Sequence, residues 1–91
     1  MSSEADRAAE LQARILAFVH DELANEAERA LVTASAPLLE IGVLDSLRTT
    51  RLIAWLREEF GVRVPPLAMT GKNFRDVGSI TTLVLDLRTA A

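Results

Sequence analysis

Apolar residues recur at helical spacing in three stretches of the chain. Over residues 5–24, Leu11, Ile15, Phe18 and Val19 stand at i, i+4, i+7 and i+8, one face of an amphipathic helix. Ser2 or Ser3 is placed to cap it, and Glu4 and Asp6 suit the positive end of the helix dipole. Over residues 46–60, Thr49, Leu52, Ile53, Leu56 and Phe60 share one face. Leu47, Arg51, Ala54 and Glu58 share the opposite face, which is expected to meet solvent or a partner. Gly61 supplies the stop, since glycine is favoured just past a helix end. A last stripe, Ile80, Leu83, Val84 and Leu87, follows Ser79, which reads as its N-cap.

The intervening segments are less regular. Residues 25–44 hold Thr33, Ser35 and Pro37, then Leu38, Leu39, Ile41, Val43 and Leu44. They read as a long loop with room for one short turn of helix, its apolar end pinned onto the core. Loops of this length inside compact domains tend to be functional. Residues 62–66 (VRVPP) are expected to be extended, because proline forces its predecessor out of the helical region. Residues 73–76 are expected to form a short helical turn. No segment alternates as a strand would. The predicted fold is all-α, a small four-helix bundle of three longer helices and one short one, with residues 1–91 as a single domain and a core over about 8–88.

Composition narrows the chemistry. The 91 residues include no cysteine, which excludes a disulfide framework, a thiolate zinc site, an iron–sulfur cluster and a cysteine nucleophile. A single histidine, His20, excludes a multi-histidine metal site, so no resident metal is expected. Thirteen acids against ten bases leave no excess of positive charge for nucleic acid. The acids are concentrated in residues 1–30, which are net −4, while residues 31–91 are net +1. No apolar run approaches the ~20 residues of a membrane span, and residues 1–7 lack the order of a secretory leader. The expected address is the cytoplasm, and the expected state a monomer. A chain this short has little wall to spare for a substrate pocket. A binding, carrier or regulatory module is therefore expected rather than an enzyme, with no catalytic residue.

The sharpest local feature is Gly42-Val43-Leu44-Asp45-Ser46-Leu47. It places a serine where a long loop becomes a helix, and the first amides of a helix lack internal partners and favour negative charge. A phosphate esterified to Ser46 would sit near those amides. The plainer reading is that Asp45 or Ser46 simply caps the helix. Ser46 is not expected to be a nucleophile of its own accord: no Gly-x-Ser-x-Gly elbow surrounds it. The one histidine, His20, reads as a half-exposed helix residue and not as a catalytic base.

The wider pattern carries more. Gly-x-x-Asp-Ser-Leu opens an amphipathic helix that ends at Phe60-Gly61; GVRVPP follows, then NFRDVGSITTLV. At these separations the chain resembles the acyl carrier and peptidyl carrier protein family over about residues 8–88. The resemblance implies that Ser46 receives a 4′-phosphopantetheine arm from coenzyme A, attached by a separate phosphopantetheinyl transferase. The arm's thiol holds an acyl or aminoacyl group as a thioester, so a cysteine-free chain does thiol chemistry with an imported sulfur. Implied partners are that transferase, an adenylating ligase or acyltransferase that loads the arm, and downstream synthase or tailoring enzymes.

The resemblance also implies a recognition face beside Ser46, comprising Asp45, Leu47, Arg48, Thr50, Arg51 and Ala54. Two departures separate the chain from fatty acid synthesis carriers. The second long helix is charge-neutral where theirs is strongly acidic, with Arg48 and Arg51 either solvated or facing a partner. Two residues, Val43 and Leu44, stand between Gly42 and Asp45 where those carriers have one. That spacing is similar to free-standing carriers of adenylating ligases, such as D-alanyl carriers, and to discrete carriers of polyketide and nonribosomal peptide pathways. A secondary-metabolite role is therefore expected.

Other residues invite plainer readings. Trp55, on the flank of its helix, is expected to pack against the 25–44 loop, with contact to the arm or cargo as the sharper alternative. Phe18, Phe60 and Phe74 read as core. Arg63, Lys72 and Arg75 are scattered, without the aromatic platforms of a nucleic-acid surface. A different class of function stays open: an arm-less interaction or regulatory module using the Leu47, Arg51 and Ala54 face. A helix-turn-helix DNA binder is disfavoured, because residues 25–44 are too long for its turn.

Overall fold

The computed structural model describes residues 3–90; Ser2, the alternative cap of the first helix, lies outside them. Helix α1 spans Glu4–Phe18. Ser3 Oγ accepts the Asp6 N–H at 3.1 Å, and the Asp6 carboxylate accepts the Ser3 N–H at 3.3 Å, a reciprocal cap. The helix does not run on regularly to residue 24. Val19–Leu23 widen into a π-helical turn, closed by the Ala24 N–H donating to Val19 O at 2.8 Å.

The long loop holds a short helix α2, Glu26–Arg29. Asn25 and Glu28 cap it reciprocally, each accepting the other's N–H at 2.8 Å. The loop's apolar end is pinned as its sequence implied: Val32, Ala36, Leu38, Val43 and Leu44 are buried. Leu38 N–H donates to Arg75 O at 2.8 Å, and Ala34 O accepts the Gly78 N–H at 3.0 Å, tying the loop to the start of the last helix. Helix α3 spans Ser46–Phe60 and ends at Gly61, whose φ of 67° is left-handed and whose N–H returns to Arg57 O at 2.9 Å. Helix α4 spans Val77–Ala90.

The three long helices close over one core. Ile15 and Val19, Leu38, Leu52 and Leu56, and Ile80 and Val84 are fully enclosed. Burying each of these side chains stabilises the fold by about 1.5–3 kcal/mol. Among the described residues there is no strand, and the all-helical architecture of three longer helices and a short one is the one expected.

Three local expectations are corrected. Residues 73–76 form no helix; a single bond from Phe74 N–H to Thr70 O closes one turn that is not continued. The short helix is α2 instead, and Pro66, expected to be extended, opens a 3₁₀ turn, Pro66–Ala68, directly after the extended Pro65. Ser79 is not the cap of α4. The helix begins two residues earlier, and the Asp76 carboxylate accepts the Ser79 N–H at 2.7 Å. Asp caps as well as Ser, and it stands three residues before the amide it satisfies.

Trp55, on the flank of α3, also meets other aromatic rings. Its ring stacks on Phe18 at 4.3 Å and meets the edge of Phe60 at 5.3 Å. The reason is register on α3. Arg51, one turn before Trp55, reaches the Glu22 carbonyl at 3.3 Å, so this flank of α3 lies against the end of α1.

Candidate functional site

The site is built at the junction of loop and helix. Gly42 adopts φ 82°, a left-handed conformation. No neighbouring atom would crowd a Cβ there, so the demand for glycine is purely conformational. Val43 and Leu44 then bury their side chains and anchor the last step into α3. Leu44 N–H donates to Leu38 O at 3.1 Å. The chain leaves this anchor at Asp45, whose backbone is extended and whose Oδ1 accepts the Arg48 N–H at 2.7 Å. The cap of α3 is therefore Asp45, and Ser46 is the first helical residue, exposed, with its hydroxyl left out of the cap.

Both readings of the Asp-Ser pair are thus realised, one by each residue. The unpaired first amides and the dipole of a fifteen-residue helix favour a negative group on Ser46. Leu47 projects into solvent with 72% of its surface exposed, and Thr50 and Ala54 are exposed on the same side. Thr50 Oγ1 donates back to Ser46 O at 2.8 Å.

The two arginines of this stretch behave differently from their exposed neighbours. Arg48 Nη1 donates to Glu28 Oε1 at 2.9 Å, to Val43 O at 3.1 Å and to Gly42 O at 3.3 Å. Arg51 is exposed but is turned to the Glu22 carbonyl. Of the six candidate recognition residues, Leu47, Thr50 and Ala54 present free surface, Asp45 is engaged as a cap, and Arg48 and Arg51 are engaged within the chain. The role of Glu28 was not legible from the sequence. Its Asn-x-x-Glu spacing signals a cap, but nothing local signals a partner twenty residues on. The Asn25 N–H holds the Glu28 carboxyl below the usual carboxylate range, and the Arg48 guanidinium adds to this, against the upward push of partial burial.

His20 is half-exposed, with Nδ1 2.7 Å from Asp21 Oδ1, and no serine hydroxyl adjoins it. Among the described residues no group of three His, Asp or Glu side chains converges as a metal site, and no helix is long and apolar enough to cross a membrane. A groove beside the first turn of α3, lined by Leu39, Thr49, Met69, Thr70, Gly71 and Phe74, holds about 150 Å³, and a neighbouring groove of about 390 Å³ shares Leu39 and Gly71 with it.

The family model for the phosphopantetheine attachment site matches residues 13–84. The chain belongs to the acyl and peptidyl carrier protein family. It is a phosphopantetheine carrier, and the cofactor of such a domain is 4′-phosphopantetheine, attached covalently to a serine. Carrier domains meet phosphopantetheinyl transferases and the enzymes that load or use the acyl group. Among solved structures, one described as a crystal structure of an FAD-dependent dehydrogenase contains a similar chain. The match covers 97% of that chain and 77% of this carrier, at 29% identity and a TM-score of 0.67. No curated protein matches the carrier significantly by sequence.

The carrier's serines differ in what they offer such an arm. Three fall inside the matched region: Ser35, Ser46 and Ser79. Ser35 lies in a loop turn, away from any helix start. Ser79 is half-buried in the first turn of α4. Ser46 combines exposure with the mouth of a long helix, the surroundings a phosphodiester needs.

Proposed function

We propose that Ser46 carries the 4′-phosphopantetheine arm and that the protein delivers an acyl or aminoacyl thioester in secondary-metabolite biosynthesis. The observation that carries the assignment is the division of roles at the loop–helix junction: Asp45 caps, and Ser46 stands exposed beside the cap. The arm supplies the thiol. The chain holds the phosphodiester at the head of α3 and offers Leu47, Thr50 and Ala54 as the contact surface. Asp45 and Arg51 border that surface, and the protein itself turns over no substrate.

The charge-neutral α3 and the Gly-x-x-Asp-Ser spacing support a discrete polyketide, nonribosomal peptide or aminoacyl carrier over a fatty acid carrier. A phosphopantetheinyl transferase installs the arm, and an adenylating ligase or an acyltransferase loads it. The likeness to a chain in an FAD-dependent dehydrogenase structure supports redox tailoring of the bound acyl group as one downstream use.

Incubation with coenzyme A and a broad-specificity phosphopantetheinyl transferase tests the assignment by intact-mass spectrometry. The wild type is expected to gain about 340 Da, as a covalent phosphopantetheine adds, and Ser46→Ala nothing. Modification of Ser46→Ala would move the site to Ser35 or Ser79. An unmodified wild type beside a modified control carrier would favour the arm-less interaction module.

A further inference from the structure

We propose that Arg48 is a positioning residue for modification of Ser46, acting through the loop that precedes it and not by touching the partner enzyme. The proposal rests on Ser46 being the attachment site. One guanidinium nitrogen ties three parts of the chain together. Arg48 Nη1 reaches the Glu28 carboxylate in α2 and the carbonyls of Gly42 and Val43, where the loop meets its buried anchor. The Arg48 backbone N–H is itself held by the Asp45 cap. Glu28 Oε1 is shared with the Asn25 N–H at 2.8 Å, so the tie continues into the cap of α2.

Burial sets this contact apart from a surface ion pair. The Arg48 and Glu28 side chains keep 25% and 17% of their surface, against 48% and 41% for Arg14 and Glu59, the ion pair at the far end of α3. Charge-assisted bonds that are partly shielded from water are worth more than exposed ones. Gly42 needs the restraint. Its left-handed backbone is followed by only two buried residues before the cap, and glycine loses more conformational freedom on ordering than any other residue. Without Arg48, the Gly42 and Val43 carbonyls lose their donor, and the Asp45–Ser46 step keeps only the cap, the buried Val43 and Leu44, and the Leu44 N–H bond to Leu38 O. A serine presented in the competent geometry for only part of the time is recognised more weakly in proportion to that fraction.

The contact predicts a pattern that a direct partner contact would not give. Removing Glu28 would free the guanidinium for a partner, whereas it breaks the tie. Kinetics of phosphopantetheinyl transfer are compared for wild type, Arg48→Met, Glu28→Gln and the double variant, with Arg14→Met as a control for loss of an ion pair elsewhere. The carrier's KM is expected to rise about fivefold in Arg48→Met and several-fold in Glu28→Gln, with kcat unchanged. The double variant is expected to be no worse than Arg48→Met, and Arg14→Met to match wild type. Hydrogen exchange at amides 42–47, measured without the transferase, is expected to quicken in both single variants. Glu28→Gln loading as well as wild type while Arg48→Met fails, or unchanged exchange at those amides, would overturn the proposal and leave Ser46 as the site. An unmodified wild type would overturn the attachment reading instead, and the exchange data would still judge the tie.

Discussion

Asp45 and Ser46 are neighbours with separate tasks: the carboxylate of the first closes the end of α3, at 2.7 Å from the Arg48 N–H, and the hydroxyl of the second is left exposed at the first helical position. Replacing Asp45 by Ala is expected to lower the free energy of unfolding by about 1 kcal/mol, the usual loss of an N-cap. Asp45→Ser is expected to restore most of it. Urea denaturation checks both. Phosphopantetheine transfer should fall in Asp45→Ala, because Ser46 then begins a frayed turn.

Leu47 tests the recognition surface. With 72% of its surface exposed, it contributes little to the fold. Leu47→Asp is expected to leave helicity by circular dichroism unchanged while lowering transfer by the transferase at least tenfold, the loss of a buried apolar anchor at an interface. Loss of helicity in that variant would contradict the exposed placement.

Gly42 and Gly61 form a matched pair. Both have positive φ, and neither has an atom within 4 Å of an added Cβ. Gly42→Ala and Gly61→Ala should each cost about 1–2 kcal/mol of stability, the penalty of a left-handed backbone. Only Gly42→Ala is expected to slow modification, since Gly61 closes the opposite end of α3. Thermal unfolding beside mass spectrometry separates the two effects.

Glu28 gives stability a pH dependence. Its carboxyl titrates lower in the folded chain than when free, first through the Asn25 N–H and then through Arg48. Between the two values the unfolded chain binds more protons. The stabilisation is therefore complete above the ordinary carboxylate pKa and is lost as pH falls through the lower folded value. Wild type is expected to exceed Glu28→Gln in stability at neutral pH, and the gap to narrow progressively under acid conditions, as followed by denaturant titration across pH.

Trp55 is expected to report on packing and not on the arm. Stacked on Phe18 and edge-on to Phe60, it lies nine residues from Ser46, which is half a turn round α3 on the opposite side. Trp55→Ala is expected to destabilise the bundle by about 2–3 kcal/mol, less than the loss of a fully buried aromatic, with the mass gain at the attachment serine unchanged. Trp fluorescence of the wild type should be indifferent to addition of the arm.

Much of this molecule was legible in the order of its residues. The stripes Leu11-Ile15-Val19, Leu52-Leu56 and Ile80-Leu83-Val84 are buried where helical spacing puts them. Gly61 stops α3 for a reason internal to one residue. The serine at a loop–helix junction was visible for the same cause: periodicity, caps and glycine backbones act within a few residues. Where two local signals competed, the local pattern was insufficient. Asp76 and Ser79 are both of cap-forming type, and it is Asp76 that holds the Ser79 N–H, while Ala34 O holds the Gly78 N–H.

Contacts between distant segments belong to the tertiary structure alone. Sequence marked Arg48 and Arg51 as neighbours of Ser46 on one helix, but a long flexible side chain goes where acceptors are. Those acceptors, Glu28, Gly42, Val43 and Glu22, are brought within reach by the folding of α2 and the π turn against α3. Trp55 likewise took its ring partners from α1 and the end of α3, because the bundle laid that flank of α3 along Phe18. The residue types and their spacing determine which helices form and where a serine meets a helix mouth. Only the three-dimensional closure of the bundle decides which charges remain free at that mouth, since burial and proximity are properties of the whole chain and not of any window within it.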